Sequence, residues 1–335
     1  MADHLQIDPS APVQFVINGA AGSKDADAMR QIIESTLQAE GRRGDLHFCS
    51  PDEITTVARD AVQRALSTRT AVVSVGGDGT LNAVTQATHA AGCAMGVVPL
   101  GTFNYFARTH GIPEDPAEAV RQLLRATPTP VQVAGINERV FLVNASLGLY
   151  PDLLEDREAF KQRFGRKRWI ALVAACATLF RARRRLYLHI EMGGRVRDVQ
   201  TLAVFVGNNR LQLQQFGAEP PDTLAGTPGD GTLAALMLRP VGLLSLLRLL
   251  FSGAQARLGE ADALDSFEFD HLVVKPRRST SRRWMKVAFD GEVTKMRAPL
   301  DLRVLEQPLY LLKPQRDDDV TAPGSDTGAS TGAAQ

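Results

Sequence analysis

Short apolar runs alternate with amphipathic stretches along the first third of the chain. In the amphipathic stretches, apolar residues recur at helical spacing, and Gly41 and Gly92 stand where helices commonly end. Strands alternating with helices are typical of a parallel sheet covered by helices. The predicted strands are Val13–Asn18, Leu46–Cys49, Ala71–Val75 and Met95–Pro99, and the predicted helices are Ala26–Glu40, Asp52–Ser67, Leu81–Ala91 and Pro116–Arg125.

The pattern becomes β-rich after Pro128 and Pro130. Two stretches at 166–185 and 241–251 instead predict helical insertions. The pattern therefore indicates an all-β second domain that helices interrupt. Its predicted strands are Val140–Leu147, Leu186–Met192, Thr201–Gly207, Leu233–Leu238 and Leu272–Lys275.

The chain length and the net charge indicate how many domains the protein has and which partners it is expected to lack. A chain of 335 residues with 44% hydrophobic residues is long enough for two packed domains, since single cores stop growing at about 250 to 300 residues. The formal net charge is only +1, so we expect no nucleic-acid partner. The residues from 315 to 335 have almost nothing to bury and predict a disordered tail.

Cysteine usage and the N-terminal residues favour a cytoplasmic protein. Cys49, Cys93 and Cys176 have no metal-ligand spacing and lie in apolar segments, as inert buried thiols do in a reducing compartment. The N-terminal residues lack the basic start and apolar core of a secretory signal. The longest apolar stretch, Trp169–Phe180, is shorter than the roughly 20 residues of a membrane-spanning helix.

A glycine-rich run, Gly76-Gly77-Asp78-Gly79-Thr80, lies between a predicted strand and a predicted helix. Glycines let the backbone approach a ligand closely, and a following helix presents free N–H groups and a positive dipole end to phosphate. An ordinary strand-to-helix turn is the alternative. Asp78 favours the phosphate site, because an anion beside phosphate requires an intervening cation such as Mg²⁺.

Two further loops follow predicted strands, Asn18–Gly22 and Pro99–Asn104. Ligands of open α/β sheets bind at the carboxyl ends of strands, so we expect the three loops to form one cleft. The run is not a P-loop, since no Lys-Ser/Thr pair completes it. It is not a dinucleotide fingerprint either, because Asn82 replaces the third glycine.

The glycine run together with Pro99-Leu100-Gly101-Thr102-x-Asn104-x-Phe106-Ala107-Arg108 resembles the diacylglycerol kinase catalytic family. That family includes bacterial lipid kinases, sphingosine kinases and ceramide kinases. The resemblance extends from Val13 to Pro314. NAD kinases share the first motif but not the second, and an NAD kinase-like enzyme remains an alternative.

The resemblance implies roles for individual residues. Asp290-Gly291-Glu292 resembles the family's Asp-Gly-Glu catalytic element, in which Glu292 would be the base; an ordinary hairpin turn is the structural alternative. Asp78 would bind Mg²⁺ through water. Asp230 resembles a magnesium-binding aspartate, although Ala234 replaces a second one. The expected nucleotide-binding residues are Asn18, Gly22, Gly76, Gly77, Asp78, Gly79, Thr80, Thr102 and Asn104.

Three positions depart from the family pattern. Tyr105 stands where many relatives have an aspartate of the hydrated magnesium network. Gly19 replaces a usual proline, and Lys24 only approximates the basic residue expected after the first loop. Tyr105 motivates an alternative from another class, a nucleotide- or lipid-binding regulator without catalysis.

Two arginine clusters are candidates for contact with a membrane. Basic residues flank the apolar stretch at 163–168 and 181–185, which suits either a helix on a membrane surface or a buried helix with solvated ends. The second cluster, Arg277, Arg278, Arg282 and Arg283, suits a solvated loop.

The leading hypothesis is an ATP- and Mg²⁺-dependent kinase for a lipid such as diacylglycerol, cytoplasmic or peripheral at the inner membrane face. The expected fold is a doubly wound α/β domain at 11–128, like that of NAD and diacylglycerol kinases, with a return strand at about 302–313, and a β-sandwich domain at 129–301 for the lipid. A homodimer stays open.

Overall fold

The structure is a computed structural model, and it describes residues 6–19, 23–101, 104–148, 151, 185–208, 231–239, 264–277 and 284–314. Within these residues the chain forms one parallel-rich sheet with helices and two antiparallel sheets. An α/β part therefore precedes a strand-rich part, as the sequence predicts.

The first sheet has six strands in the order β2-β1-β3-β4-β18-β5. All neighbouring pairs are parallel except β18 with β5. Strands β3 and β4 are buried over their whole length and β1 is buried up to Asn18, which explains their near-continuous apolar runs. The strands are β1 Val13–Asn18, β2 Gly44–Cys49, β3 Val72–Gly76, β4 Met95–Pro99, β5 Pro128–Val131 and β18 Leu309–Leu312.

Five helices accompany this sheet: α1 Ser23–Ala39, α2 Ile54–Thr68, α3 Asp78–Ala91, α4 Tyr105–Thr109 and α5 Pro116–Arg125. Four of them pack as two pairs, α1 with α5 and α2 with α3. In the strand order, the connection from β1 to β2 runs towards one edge of the sheet, and the connection from β2 to β3 runs towards the other edge. Right-handed crossovers then place α1 and α2 on opposite faces. The strand order reverses between β1 and β3, where such sheets have their ligand crevice.

Local chemistry fixes the ends of these helices. Asp115 caps α5 by accepting a hydrogen bond from the Glu118 N–H at 2.8 Å, and Pro116 occupies the first turn. Gly92 ends α3 with a φ of 64°, and its N–H donates to the carbonyls of Thr88 and His89.

The other two sheets are antiparallel, with orders β10-β9-β14-β17-β6-β7 and β13-β12-β11-β8-β15-β16. Alternate residues of both sheets contribute to one hydrophobic core, which includes Leu188, Leu272, Leu233 and Val287. The strands are β6 Ala134–Ile136, β7 Arg139–Phe141, β8 Asn144–Gly148, β9 Leu186–Met192, β10 Arg195–Thr201, β11 Ala203–Gly207, β12 Leu233–Leu238, β13 Leu264–Phe269, β14 His271–Pro276, β15 Trp284–Phe289, β16 Glu292–Arg297 and β17 Leu300–Val304.

Most predicted elements form, with changes at their ends. The helix after the glycine run is longer than predicted. It begins at Asp78 and not at Leu81, so α3 includes the last three residues of the run. The predicted strand Val140–Leu147 is two strands, β7 and β8. The helix α4 was not predicted.

The boundaries between the parts also shift. Strand β5 extends the first sheet to Val131, beyond the predicted boundary at 128. The predicted return strand at 302–313 contains parts of two strands, since β17 pairs with β14 and β6 while Leu309–Leu312 alone joins the first sheet. The predicted insertions at 166–184 and 241–251 and the tail from 315 lie outside the described residues.

One side chain joins helix α3 to the edge strand β7. The Gln86 amide donates to the Val140 carbonyl at 2.6 Å and accepts from the Val140 N–H at 3.1 Å. It therefore satisfies both outward-facing backbone groups of Val140, as another strand would. This contact fixes the α/β part against the strand-rich part.

We predict that Gln86→Met lowers the free energy of unfolding by about 1–3 kcal/mol, because methionine keeps the length of the side chain but leaves the Val140 N–H without a partner and the Val140 carbonyl with the Asn82 amide alone. Denaturant titration followed by circular dichroism measures the change. Gln63→Met, at an exposed position of α2, is the matched control and should have little effect. Equal stability of the two variants would show that the contact contributes nothing.

Candidate functional site

A cleft of about 630 Å³ opens at the reversal in strand order and runs between α2 and α3. Its walls include the apolar side chains Ile54, Val62, Ala83 and Ala87. Polar and charged residues from both parts of the fold complete the lining: Asn18, Thr55, Arg59, Gln63, Thr80, Asn82, Gln86, Arg139 and Glu292. Residues from both the α/β part and the strand-rich part thus line one cleft.

Gly76 of the glycine run and Gly101 of the loop after β4 have little room for a side chain. A Cβ at Gly76 would lie 2.6 Å from Thr80 Oγ1, and one at Gly101 would lie 2.8 Å from Asn104 Oδ1 and 3.5 Å from the Gly77 Cα. The Leu100 N–H also donates to the Gly76 carbonyl at 2.9 Å. The loops after β3 and β4 are therefore in backbone contact, as the sequence predicts for one cleft.

Asp78 is the first residue of α3, where a carboxylate faces the positive end of the helix dipole. Burial raises the pKa of Asp78 above its usual value. Thr80, in the same turn, is buried, and its Oγ1 has no hydrogen-bond partner in the structure. Both groups would gain from a polar ligand at this helix end, because buried polar groups are normally paired.

Asn104 shapes the second loop and begins α4. Its backbone is left-handed, with a φ of 46°, and its side-chain amide donates to the Gly101 carbonyl at 2.8 Å. Tyr105 follows as the first residue of α4 and packs against the core of the α/β part. The tyrosine thus fills a packing position at this end of the α/β part.

Asp290 is buried and accepts four hydrogen bonds. Its Oδ1 accepts from the N–H groups of Val143 and Asn144 at 2.9 and 3.2 Å. Its Oδ2 accepts from the Leu142 N–H at 2.8 Å and from the Asn82 amide of α3 at 2.9 Å. Burial raises the pKa of Asp290 to about 6, and the four donors oppose that rise.

These contacts make Asp290 a structural joint. It connects α3 to the segment between β7 and β8, and it belongs to the turn between β15 and β16. Asp290 and Gly291 have φ values of 45° and 87°, as two-residue hairpin turns require. The structure thus shows the hairpin turn given above as the alternative, and the turn delivers Glu292 to the cleft. With its oxygens occupied in this way, Asp290 is positioned to hold Glu292 rather than to contact a substrate.

Glu292 is exposed at the rim of the cleft and lies over the glycine run. A Cβ placed on Gly79 would be 3.0 Å from Glu292 Oε1. Residues separated by more than 200 positions in the sequence therefore meet, and only glycine at 79 leaves this space open.

The structure brings most of the predicted site residues together. Asn18, Gly79, Thr80 and Glu292 line the cleft, and Gly76, Gly77, Asp78 and Asn104 build the adjoining loops. Gly22, Thr102 and Asp230 lie outside the described residues. Among the residues that are described, no three His, Cys, Asp or Glu side chains cluster as a metal site. Because Asp230 lies outside these residues, Asp78 is the one predicted metal ligand whose position the structure gives.

Sequence reasoning missed the other polar and charged lining residues: Thr55, Arg59, Gln63, Asn82, Gln86 and Arg139. The positions of Asn82 and Gln86, four residues apart on α3 and directly after the glycine run, carried a signal, because they share one helix face with Gly79. Arg59 and Arg139 stand in no motif.

Comparison with known proteins agrees with this geometry. Residues 12–136 match the family model of the diacylglycerol kinase catalytic domain. This segment is similar to the diacylglycerol kinase catalytic domain. It contains the glycine run, the loop after β4 and Gln86, and it ends before Val140 and the Asp-Gly-Glu turn.

Similar proteins extend the match over most of the chain. A protein of Synechocystis named uncharacterized protein sll0036 is 24% identical over 312 residues, which cover 90% of this chain and 70% of that protein. "Probable lipid kinase YegS-like" of Serratia proteamaculans is 30% identical over 148 residues, or 42% of this chain and 46% of that protein. The crystal structure of a diacylglycerol kinase from Bacillus anthracis has a TM-score of 0.61 at 19% identity and covers 90% and 96% of the two chains. The chain is therefore similar over most of its length to the Synechocystis protein and to the Bacillus anthracis structure, and over part of its length to a probable lipid kinase.

We predict that Asp290→Ala destabilises the fold by about 3 kcal/mol or more, because three buried N–H groups and the Asn82 amide lose their acceptor. Thermal unfolding measures the loss. Glu292→Ala, two residues away on the exposed rim, is the matched control and should unfold within about 0.5 kcal/mol of the parent chain. A stable Asp290→Ala variant would exclude the role of Asp290 as a joint.

Proposed function

We propose that the protein transfers the γ-phosphoryl group of ATP to a hydroxyl of a lipid such as diacylglycerol. The observation that carries this proposal is the position of Glu292 over Gly79. It places a carboxylate from the strand-rich part beside the phosphate-binding loop of the α/β part. A kinase needs this pairing of a phosphate cradle with a group that positions the acceptor hydroxyl.

The cleft has the dimensions and chemistry for a nucleotide. Ligand pockets range over about 300–1,000 Å³ and combine apolar walls with a few polar groups, and this cleft meets both conditions. We propose that the base lies between α2 and α3 and that the phosphates lie on the Gly76–Thr80 run, where they meet the N-terminus of α3. Asn18, Gly22, Thr102 and Asn104 would complete the nucleotide site.

Mg²⁺ would neutralise charge on the β- and γ-phosphates. Asp78 is the residue that suits it, since its carboxyl is partly buried at the end of the cradle, and a cation there would favour its charged form. Asp230 is the second proposed ligand. Tyr105 supplies no carboxylate, so this chain would hold the ion with fewer charged groups than relatives that have aspartate at this position.

Each residue of the proposed site has a separate role in the reaction. Glu292 orients the acceptor hydroxyl and takes its proton as the oxygen bonds to the γ-phosphorus. The bond from that phosphorus to the bridging oxygen of ADP breaks in the same step. Asp290 contacts neither reactant and holds the turn in place. Arg59 and Arg139, both exposed at the rim, would attract the anionic nucleotide.

The strand-rich part would receive the lipid. We propose that its two antiparallel sheets are the predicted β-sandwich and that the α/β part resembles the NAD kinase fold. No helix among the described residues is long and apolar enough to cross a membrane. The proposed location is cytoplasmic, with the enzyme meeting its lipid at the inner membrane face.

We predict that the purified protein labels at least one lipid from a panel of diacylglycerol, ceramide, sphingosine and phosphatidylglycerol when supplied with γ-labelled ATP and Mg²⁺. Glu292→Gln should lower the initial rate by about 10²- to 10⁴-fold, because the amide cannot accept the proton. ATP binding, measured by calorimetry, should be retained. Glu138→Gln, at an exposed turn beside Arg139, is the matched control and should keep full activity.

The outcomes separate the candidate functions. Labelling that survives in Glu292→Gln would exclude Glu292 as the base. NADP formation from NAD would instead select an NAD kinase-like enzyme. Tight ATP binding without turnover on any lipid would select the regulator, and Tyr105→Asp should then raise activity if the missing carboxylate is the cause.

A further inference from the structure

Two of the amide side chains that line the cleft are already occupied by protein contacts. The Gln86 amide bonds to both backbone groups of Val140, and it also donates to Asn82 Oδ1 at 3.2 Å. The Asn82 amide donates to the Val140 carbonyl at 3.2 Å and to Asp290 Oδ2 at 2.9 Å. The nitrogen and the oxygen of each amide therefore have partners, so neither side chain is free to bind a ligand.

Gln63 of α2 is another amide of the cleft, and it is not occupied. Its side chain lines the cleft and is exposed. It forms no hydrogen bond with any residue in the part of the chain that the structure describes. A glutamine amide carries a donor beside an acceptor, so it can pair with two neighbouring polar atoms of one ligand.

Helix α2 presents its polar groups in order along the cleft. Helices α2 and α3 each follow a strand of the parallel sheet, so they run in the same direction and begin at the same edge. Thr55, Arg59 and Gln63 line the cleft and share one face, because they are spaced by four residues. Gln63 lies about 12 Å further along the helix axis than Thr55, at 1.5 Å per residue. The cation of Arg59 therefore lies between the phosphate-binding loop and the free amide.

Helix α3 supplies the opposite wall, which is apolar and flat. Gly79, Ala83, Ala87 and Ala91 line the cleft, again with a spacing of four residues. Their small side chains leave room for a planar group against the helix. Thr80, at the near end, carries a buried hydroxyl without a partner in the structure, which is an independent indication that a polar ligand belongs there.

We propose that Gln63 binds the base of the nucleotide and selects adenine. This inference rests on the proposed function and names the residue that sets its nucleotide specificity. Adenine has a donor at N6 beside an acceptor at N7, and one glutamine amide pairs with both atoms. Guanine and hypoxanthine have acceptors at both O6 and N7, so the amide can satisfy only one of them. Arg59, one turn nearer the glycine run, would lie beside the sugar and the α-phosphate.

The test measures nucleotide binding to the full chain by calorimetry, with Mg²⁺ and without lipid, so its outcome does not depend on turnover. The probes are ATP, GTP and ITP, whose base is hypoxanthine. We expect ATP to bind about 5- to 30-fold more tightly than GTP or ITP, the lower part of the range for an amide–adenine pair because Gln63 is exposed. Gln63→Met should bring the three affinities close together while the variant keeps its stability.

A second variant tests the same contact in the opposite direction. The guanidinium of Gln63→Arg has two parallel donors, which match O6 and N7 of guanine and hypoxanthine. This variant should therefore bind GTP and ITP more tightly than ATP. Gln38→Arg adds the same charge at an exposed position of α1, away from the cleft, and is the matched control. It should keep the nucleotide preference of the parent chain.

Three results would overturn the role of Gln63 and leave the nucleotide site unaffected: ITP binding to the parent chain as tightly as ATP, an unchanged preference for ATP in Gln63→Met, or equal changes in Gln63→Arg and Gln38→Arg. Circular dichroism of each variant establishes that it is folded. A folded parent chain that binds none of the three nucleotides would overturn this inference together with the proposed function.

Discussion

The four hydrogen bonds of the Asp290 carboxylate are the interaction on which the site depends. They collect three successive N–H groups from the segment between β7 and β8 and one amide from α3, so three separate stretches of chain meet at one side chain. A buried carboxylate costs free energy unless such donors surround it. Because three donors belong to residues 142–144 and the fourth is Asn82 of α3, the cost is fully offset only when the α/β part and the strand-rich part are together. The buried charge thus favours the arrangement in which the α/β part and the strand-rich part are in contact. This arrangement determines the position of Glu292.

The rest of the site follows from how closely two backbones can approach. Gly76 and Gly101 leave space for neighbouring atoms, and Gly79 leaves space for the Glu292 carboxylate. None of these three needs glycine for an unusual φ, since the positive φ values fall at other glycines such as Gly92 and Gly291. Here the absence of a side chain keeps a ligand-sized opening, while rigid strands and α3 hold its edges. At Tyr105, by contrast, a partly buried side chain fills space beside the core of the α/β part.

Much of the α/β part could be predicted from the sequence, because its buried strands and amphipathic helices carry strong periodic signals. Val13–Asn18, Met95–Pro99 and Pro116–Arg125 form at their predicted bounds. Short elements could not be predicted, since α4 has five residues and β7 has three, too few to show a period. The glycine run and Glu292 were found through motifs. The joint at Asp290 was not, because its donors are backbone groups, which no sequence pattern identifies. Arg59 and Arg139 join the cleft through the packing of distant elements, which sequence spacing does not encode.

The place of β18 in the first sheet has a consequence for how the chain is made. It lies between β4 and β5, although it follows β5 by the whole length of the strand-rich part. While the ribosome is still synthesising that part, β5 has no partner and the sheet has an open edge at β4. Pairings between segments so far apart in the sequence form slowly, and open edges invite pairing with other chains. The α/β part of this protein therefore cannot close its own sheet during synthesis until the strand-rich part and β18 have emerged.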